Sequence, residues 1–513
     1  MGKIKSFVSN HKVEIVILVL ILFAGAFLRL YKINEYMTFL GDEGRDVLIV
    51  RRLLVNHHPP LIGPGTSIGN MYLGPAYYYM MAIPLLIANF NPVGPAIFIA
   101  FLGLATIFFV WFAIREWFPT KGINWGALAG SFLYAISPII IIYSRSSWNP
   151  NIMPFFALLS IYGIWRVWQK KELKWLVIIG ISFACVMQSH YLGLLLLPTI
   201  LIVWFLTFIK YQNKKKFFIF SLISLFLFLL LMSPLAIFDF RHNFINFNAM
   251  KAFFTDRQTT VSVLPWKAIP DMWPIFNNVT TDLVGANNIM LGLIVAGIIV
   301  LNFVFLFFIK KQKYNAKDVS VNLVLILWLG FGLLGLGLYK QHIYDHYYGF
   351  IFTAPFIVLG GVINYLVGSK FKIIGIISVS IFVVVLTIFD LQKTPIRNNP
   401  NMQLQRAEFV ANKVNLFSEG ARFNFALIAD NNYDSAYRYF LELDGAKVVD
   451  IDPQNAKGTI TDQLIVVCER VKEKCDPTHN PKAEVAGFGW TKIIGEWDAV
   501  FGTTVYKLGH VPH

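Results

Sequence analysis

Nine stretches of this chain are apolar over about the length a helix needs to cross a bilayer, roughly 20 residues. They lie near 13–30, 93–113, 124–143, 151–168, 217–237, 288–309, 321–339, 349–366 and 372–389. A further stretch, 173–209, is long enough for two short spans broken at Gln188-Ser189-His190-Tyr191. In lipid every backbone N–H and C=O must be satisfied within the protein, so such runs can only become helices packed as a bundle. Composition agrees: 56% of the 513 residues are hydrophobic and only 14% charged, against about 25% in soluble domains. Disorder, a disulfide scaffold, a collagen-like fibre and an ordinary soluble enzyme are excluded.

The formal charge of +15 would suit nucleic acid in a soluble protein. Here the basic residues fall in short clusters between apolar runs, which the positive-inside rule explains. The expected partner is the bilayer, not nucleic acid. The clusters are Lys3, Lys5 and Lys12; Arg115 and Lys121; Lys170, Lys171 and Lys174; Lys210 with Lys214–Lys216; Lys310, Lys311, Lys313 and Lys317; and Lys370 with Lys372. Placing all of them in the cytoplasm closes only if the short segment 76–90, bounded by Pro75, Pro84 and Pro92, is re-entrant or interfacial on the outer side. Eleven spans follow, with the N-terminus inside. The run 13–30 lacks a cleavage pattern and is expected to stay as the first span. The first external loop is then 31–92, and a long one runs from 238 to 287.

From about 390 the composition changes. The expectation is a transmembrane domain over 1–390 and a small extracytoplasmic α/β domain over 391–513. Met402–Leu416 has helical periodicity, 423–428 and 463–467 read as strands around a helical Tyr433–Leu441, and Trp490–Leu508 has room for two more strands. Cys185 lies within an apolar run and reads as a core residue. Cys468 and Cys475 are either free or joined in a short-loop disulfide, the second if this part meets an oxidising compartment.

Nearly all the polar-aromatic clusters of the membrane region fall on the external side. The first holds Asp42 and Glu43, with Arg45 beside them. An acidic pair next to an arginine can supply a general base near a phosphate-binding cation, although Asp and Glu also favour any first helical turn. The second is Ser144–Asn151, with Arg145, Trp148 and Asn149, and the third contains His190 and Tyr191. The fourth, 238–243, holds Asp239, Arg241 and His242; the fifth, 341–348, holds His342, Asp345, His346 and Tyr347. Two histidines and an aspartate within five residues can bind a metal, but that spacing is not diagnostic, and no metal or other cofactor is assigned. Together the clusters point to an outward-facing cavity for an anionic ligand, lined by Tyr72, Trp148, Asn149, His190, Tyr191, Asp239, His242, Asp345, His346 and Tyr347, with Arg45, Arg145 and Arg241 as phosphate-binding cations. No Walker A loop, G-x-S-x-G, H-E-x-x-H or dinucleotide fingerprint is present.

The membrane region, roughly 10–390, resembles the GT-C superfamily of membrane glycosyltransferases, on the side of the protein O-mannosyltransferases and the aminoarabinose transferases of lipid A. The resemblance rests on a first span followed by Asp42-Glu43-Gly44-Arg45, the Pro-flanked Tyr72–Ile83 segment and the Arg145–Asn151 connection. It implies that Asp42 and Glu43 hold the catalytic base and that Arg45 helps hold the donor phosphate. It also implies a polyprenyl-phosphate sugar as donor, inversion at the anomeric carbon, and an acceptor hydroxyl on a glycan, lipid or protein. One departure stands out. Aminoarabinose transferases carry Glu-Lys before the proline of the second motif, where this chain has Leu73 and Gly74. Arg145, Arg241 and His346 are the candidates to replace that lysine. A transporter or flippase of a lipid-linked or anionic solute is the competing reading; it requires ionisable groups deep in the spans, and few are seen. A membrane scaffold would leave the acidic pair unexplained.

Overall fold

The computed structural model describes residues 11–66, 69, 71–255, 260–309, 316–499 and 502–511. Lys3, Lys5, Lys310, Lys311 and Lys313 lie outside them. Each expected apolar run is helical. In chain order the main helices are α1 (Lys12–Leu30), α2 (Gly41–Val55), α3 (Ala76–Ile87), α4 (Val93–Trp117), α5 (Trp125–Ile136), α6 (Met153–Lys170), α7 (Lys174–Ser189), α8 (Leu197–Lys210), α9 (Lys214–Arg241), α10 (Ile245–Thr255), α11 (Ile269–Leu283), α12 (Ile289–Ile309), α13 (Ala316–Gly337), α14 (Ala354–Val367) and α15 (Lys372–Lys393). Among the described residues six helices are long and apolar enough to cross a membrane alone. A seventh span forms if Asp345–Ile351 and α14, bent by 50°, count as one.

Two runs are broken where the sequence predicts one segment. In 124–143 the chain leaves α5 at Ser137 and resumes at Pro138 for Pro138–Tyr143. Proline cannot donate the hydrogen bond that would continue the helix. The other break is the bend before α14.

The helices differ in what covers them. On α9 only Phe217 and Leu235 are buried, while Phe218, Leu222, Phe226 and Leu229 are exposed. In water such a surface would drive aggregation; in lipid it is solvated. The bundle interior includes Trp117, Trp165 and Trp328, all fully buried.

The loops sort into two sets, each tied together within itself. Glu14 pairs with Arg115 and accepts from Trp111 Nε1 at 3.0 Å and Asn124 N at 3.1 Å. Arg166 joins Glu116 at 2.8 Å and Glu172 at 2.6 Å. All of these lie beside the basic connections. At the other helix ends Thr38 N donates to Ser146 Oγ at 2.8 Å, Asn149 Nδ2 to Ser189 O at 2.7 Å, and Tyr143 Oη to Asp345 Oδ1 at 2.9 Å.

Beyond α15 come α16 (Gln403–Phe417), β1 (Asn424–Ile428), α17 (Ser435–Leu443), β2 (Gln463–Cys468), β3 (Thr491–Ala499) and β4 (Thr503–His510). They form a sheet of order β1-β2-β4-β3, with β1 and β2 parallel and the other two pairings antiparallel. Every residue of β1 and β2 is buried, as expected for strands covered on both faces. Cys468 and Cys475 are disulfide-bonded. This domain does not stand apart. Phe39, Val47 and Leu48 share one apolar core with Val410, Phe425, Tyr437 and Phe440.

Candidate active site

The site begins at the first turn of α2, whose leading N–H groups lack helical partners. Glu43 turns back and its Oε2 accepts from Leu40 N at 3.0 Å; Asn432 Oδ1 accepts from Gly41 N at 2.9 Å. Glu43 is therefore spent on the turn. It is 5% exposed, and burial pushes its carboxyl up to about 7.

Asp42, next to it, is the more exposed of the pair. Its side chain is 38% exposed and, with Glu43, Tyr143, Ser146, Trp148 and Tyr433, lines a cavity of about 290 Å³. Arg45 Nη1 donates to Asp42 Oδ1 at 2.7 Å, and the Tyr433 hydroxyl donates to the same oxygen. The remaining Arg45 nitrogens, Nε and Nη2, hold Asp46 Oδ1 at 3.0 and 2.7 Å. Asp46 is buried and its Oδ2 has no partner. Burial raises its carboxyl to about 6 despite the arginine. Burial opposes the charge of Arg45, yet Asp46 and Asp42 leave it held more firmly protonated than a free guanidinium.

An aromatic cluster extends from Trp148 at the edge of this cavity. The Trp148 ring lies 4.6 Å from His346, His346 lies 4.7 Å from Tyr347, and Tyr347 lies 4.8 Å from His190. Tyr143 stacks on Trp148 and reaches Asp345. Five of the expected residues, Trp148, His190, Asp345, His346 and Tyr347, thus form one connected cluster, of which Trp148 lines the Asp42 cavity and Asp345 a neighbouring one.

A second group forms around Tyr72. Its N–H donates to Asn246 Oδ1 at 2.6 Å and its carbonyl accepts from the Tyr191 hydroxyl. Asp239 is used locally, accepting from Asn246 N and Phe247 N at 2.7 and 3.1 Å. His242 stacks on Phe238. Asn149 ties the two outer connections together.

The other two arginines stand elsewhere. Arg145 is buried, donates to Tyr31 O at 2.8 Å and lies over the Tyr36 ring at 4.8 Å; like Arg45 it is not in the lining of the Asp42 cavity. Arg241 is exposed at the end of α9. Among the three, Arg45 alone contacts Asp42. The departure at Gly74 now has a physical reason: a Cβ there would stand 2.2 Å from Gln188 Oε1, which accepts from Ala76 N. No side chain fits without displacing Gln188. Among the described residues no three His, Cys, Asp or Glu side chains are grouped to hold a metal ion. His342 packs on Tyr344 instead.

Asp46, Tyr143, Asn432 and Tyr433 were not singled out in the sequence. Asp46 could have been, since it lies one helical turn beyond Asp42; the other three carry no local signal.

Residues 73–238 match a family model described as dolichyl-phosphate-mannose-protein mannosyltransferase. The chain is also similar to the crystal structure of ArnT from Cupriavidus metallidurans bound to undecaprenyl phosphate, with a TM-score of 0.60 over 96% of this chain and 97% of that one, at 10% identity. The fold is that of ArnT. The apo structure of the same ArnT gives a TM-score of 0.57 at 12% identity, with the same coverage. No curated protein matches by sequence. The resemblance to the GT-C superfamily read from the motifs therefore holds at the level of the fold. The ArnT-like alignment includes the C-terminal domain, whereas the family match begins beyond Asp42, so the case for that residue rests on geometry.

Proposed function

We propose that this protein transfers a sugar from a polyprenyl-phosphate donor to an acceptor hydroxyl at the outer face of the membrane, across eleven spans with the N-terminus inside. The observation that carries the reading is the split fate of the acidic pair. Both border the cavity, but Glu43 is buried with one oxygen spent on the helix cap, while Asp42 is the more exposed and has Oδ1 held by Arg45 and Tyr433.

Asp42 Oδ2 is then placed to take the acceptor's proton as that oxygen attacks the anomeric carbon. The bond from the anomeric carbon to the lipid phosphate breaks, and the electron pair leaves with the phosphate. That group departs as an anion and needs no proton if cations stabilise it; Arg45 is the cation at hand. One base and no carboxylate nucleophile imply inversion. Tyr143, Trp148 and Tyr433, which line the cavity, offer apolar faces and hydrogen-bonding edges of the kind a sugar ring packs against. The fold likeness to a protein crystallised with undecaprenyl phosphate supports the choice of a lipid-phosphate donor.

The test is transfer from radiolabelled polyprenyl-phosphate hexoses and pentoses by purified protein in lipid, wild type beside Asp42→Asn. The expected loss is about 10²–10⁴-fold for removal of a general base, with unchanged insertion and thermal unfolding. An Asp42→Asn variant that retains full transfer would remove Asp42 from the mechanism.

A further inference from the structure

We infer that the loop following β1 completes the active site and that Tyr433, from the C-terminal domain, is a positioning residue for Asp42. This rests on the transferase reading above.

The loop emerges at the carboxyl end of the parallel pair β1 and β2, the edge of an α/β sheet where sites form. It is fixed from both sides. Asn432 Oδ1 accepts from Gly41 N and from Tyr433 N, both at 2.9 Å. Asn432 Nδ2 donates to Glu469 Oε1 at 2.9 Å, which also accepts from Tyr437 Oη at 2.6 Å. The Tyr433 ring lies directly on Gly41, where any Cβ would stand 2.5 Å from it. Its hydroxyl therefore arrives at Asp42 Oδ1 already oriented, and accepts in turn from Arg45 Nη1 at 3.3 Å. Two donors on one carboxylate oxygen fix the plane of the group and leave the second oxygen to other partners. Preorganisation of this kind is what a base needs from its supporting shell.

Tyr433→Phe keeps the ring on Gly41 and removes only the hydroxyl. Its kcat should fall about 10-fold, the scale of one hydrogen bond to a charged group, with the donor KM within about twofold. Gly41→Ala displaces the ring and should give a similar loss, and the double variant should be no worse than the worse single, as for groups acting through one contact. A readout independent of turnover is the fluorine resonance of 3-fluorotyrosine placed at position 433. The groups facing that phenol are Asp42, Asp46 and Arg45. Burial and the Asp42 carboxylate together outweigh Arg45 and hold the phenol protonated above its ordinary range, so ionisation should move to lower pH in Asp42→Asn. Full kcat in Tyr433→Phe, or a titration that ignores Asp42→Asn, would overturn the inference. An inactive wild type whose residue 433 still responds to Asp42 would retire the transferase reading and leave the contact standing.

Discussion

Two adjacent carboxyls, Asp42 and Glu43, have opposite surroundings, and the difference is measurable. The Glu43 carboxyl is raised from 4.5 to about 7 by burial, so the folded protein holds that proton more tightly than the unfolded chain. Stability from this group is intact below about pH 4.5 and lost as pH rises through about 7, on the order of 3 kcal/mol in all. Glu43→Gln retains an oxygen for Leu40 N and cannot ionise. We expect the wild type to lose thermal stability relative to Glu43→Gln between pH 5 and pH 8, measured on the two proteins in the same detergent. Asp46, whose charge also raises Glu43, is present in both proteins. Parallel curves would mean that Glu43 ionises freely. The pair itself was legible in the sequence, because two carboxyls beside an arginine after a first span form a local pattern. How each is held was not, since Asp42 takes one of its two donors from the C-terminal domain. The Tyr433 contact lies 391 residues from Asp42, beyond any local pattern.

At the level of elements, the joint between α2 and α17 decides whether the C-terminal domain is a cover or a part of the site. Gly44 allows the two helices to touch, for a Cβ there would stand 2.3 Å from the Ala436 backbone. Arg51 and Arg52 grip Glu442 further along, each at 2.7 Å. Phe39 enters between Tyr439 and Phe440. Gly44→Ala should therefore cost about 1–3 kcal/mol through overpacking, and hydrogen exchange should quicken across Ser435–Leu443 while α7 stays protected. Unchanged exchange there would mean that the joint tolerates the extra methyl by a small shift. Helices and strands in this chain were readable because apolar runs and alternation are properties of neighbouring residues. The joint was not readable: α2 is amphipathic, and nothing within residues 41–55 says which surface its apolar face will meet. The departures in 124–143 and before α14 have the same origin, since a run of apolar residues records burial but not where a proline or a bend divides it.

For the whole molecule the decisive property is sidedness. Charged and polar loops form two internally bonded sets, one around Glu14, Arg115 and Arg166 and one around Asp42, Trp148 and the C-terminal domain. The first set adjoins the basic connections, which the proposed orientation places in the cytoplasm. The second holds the Cys468–Cys475 disulfide, a bond that persists in oxidising compartments. Both features are what the proposed orientation requires. Cys185 is buried, so a single added cysteine should dominate the signal from an impermeant maleimide. At Gln212→Cys, in the exposed turn before α9, labelling should require permeabilised cells. At Lys457→Cys, exposed on the C-terminal domain, intact cells should label. The reverse pattern would place the Asp42 cavity on the cytoplasmic side, where nucleotide-activated donors are available, and would remove the reason for a donor already activated on lipid phosphate.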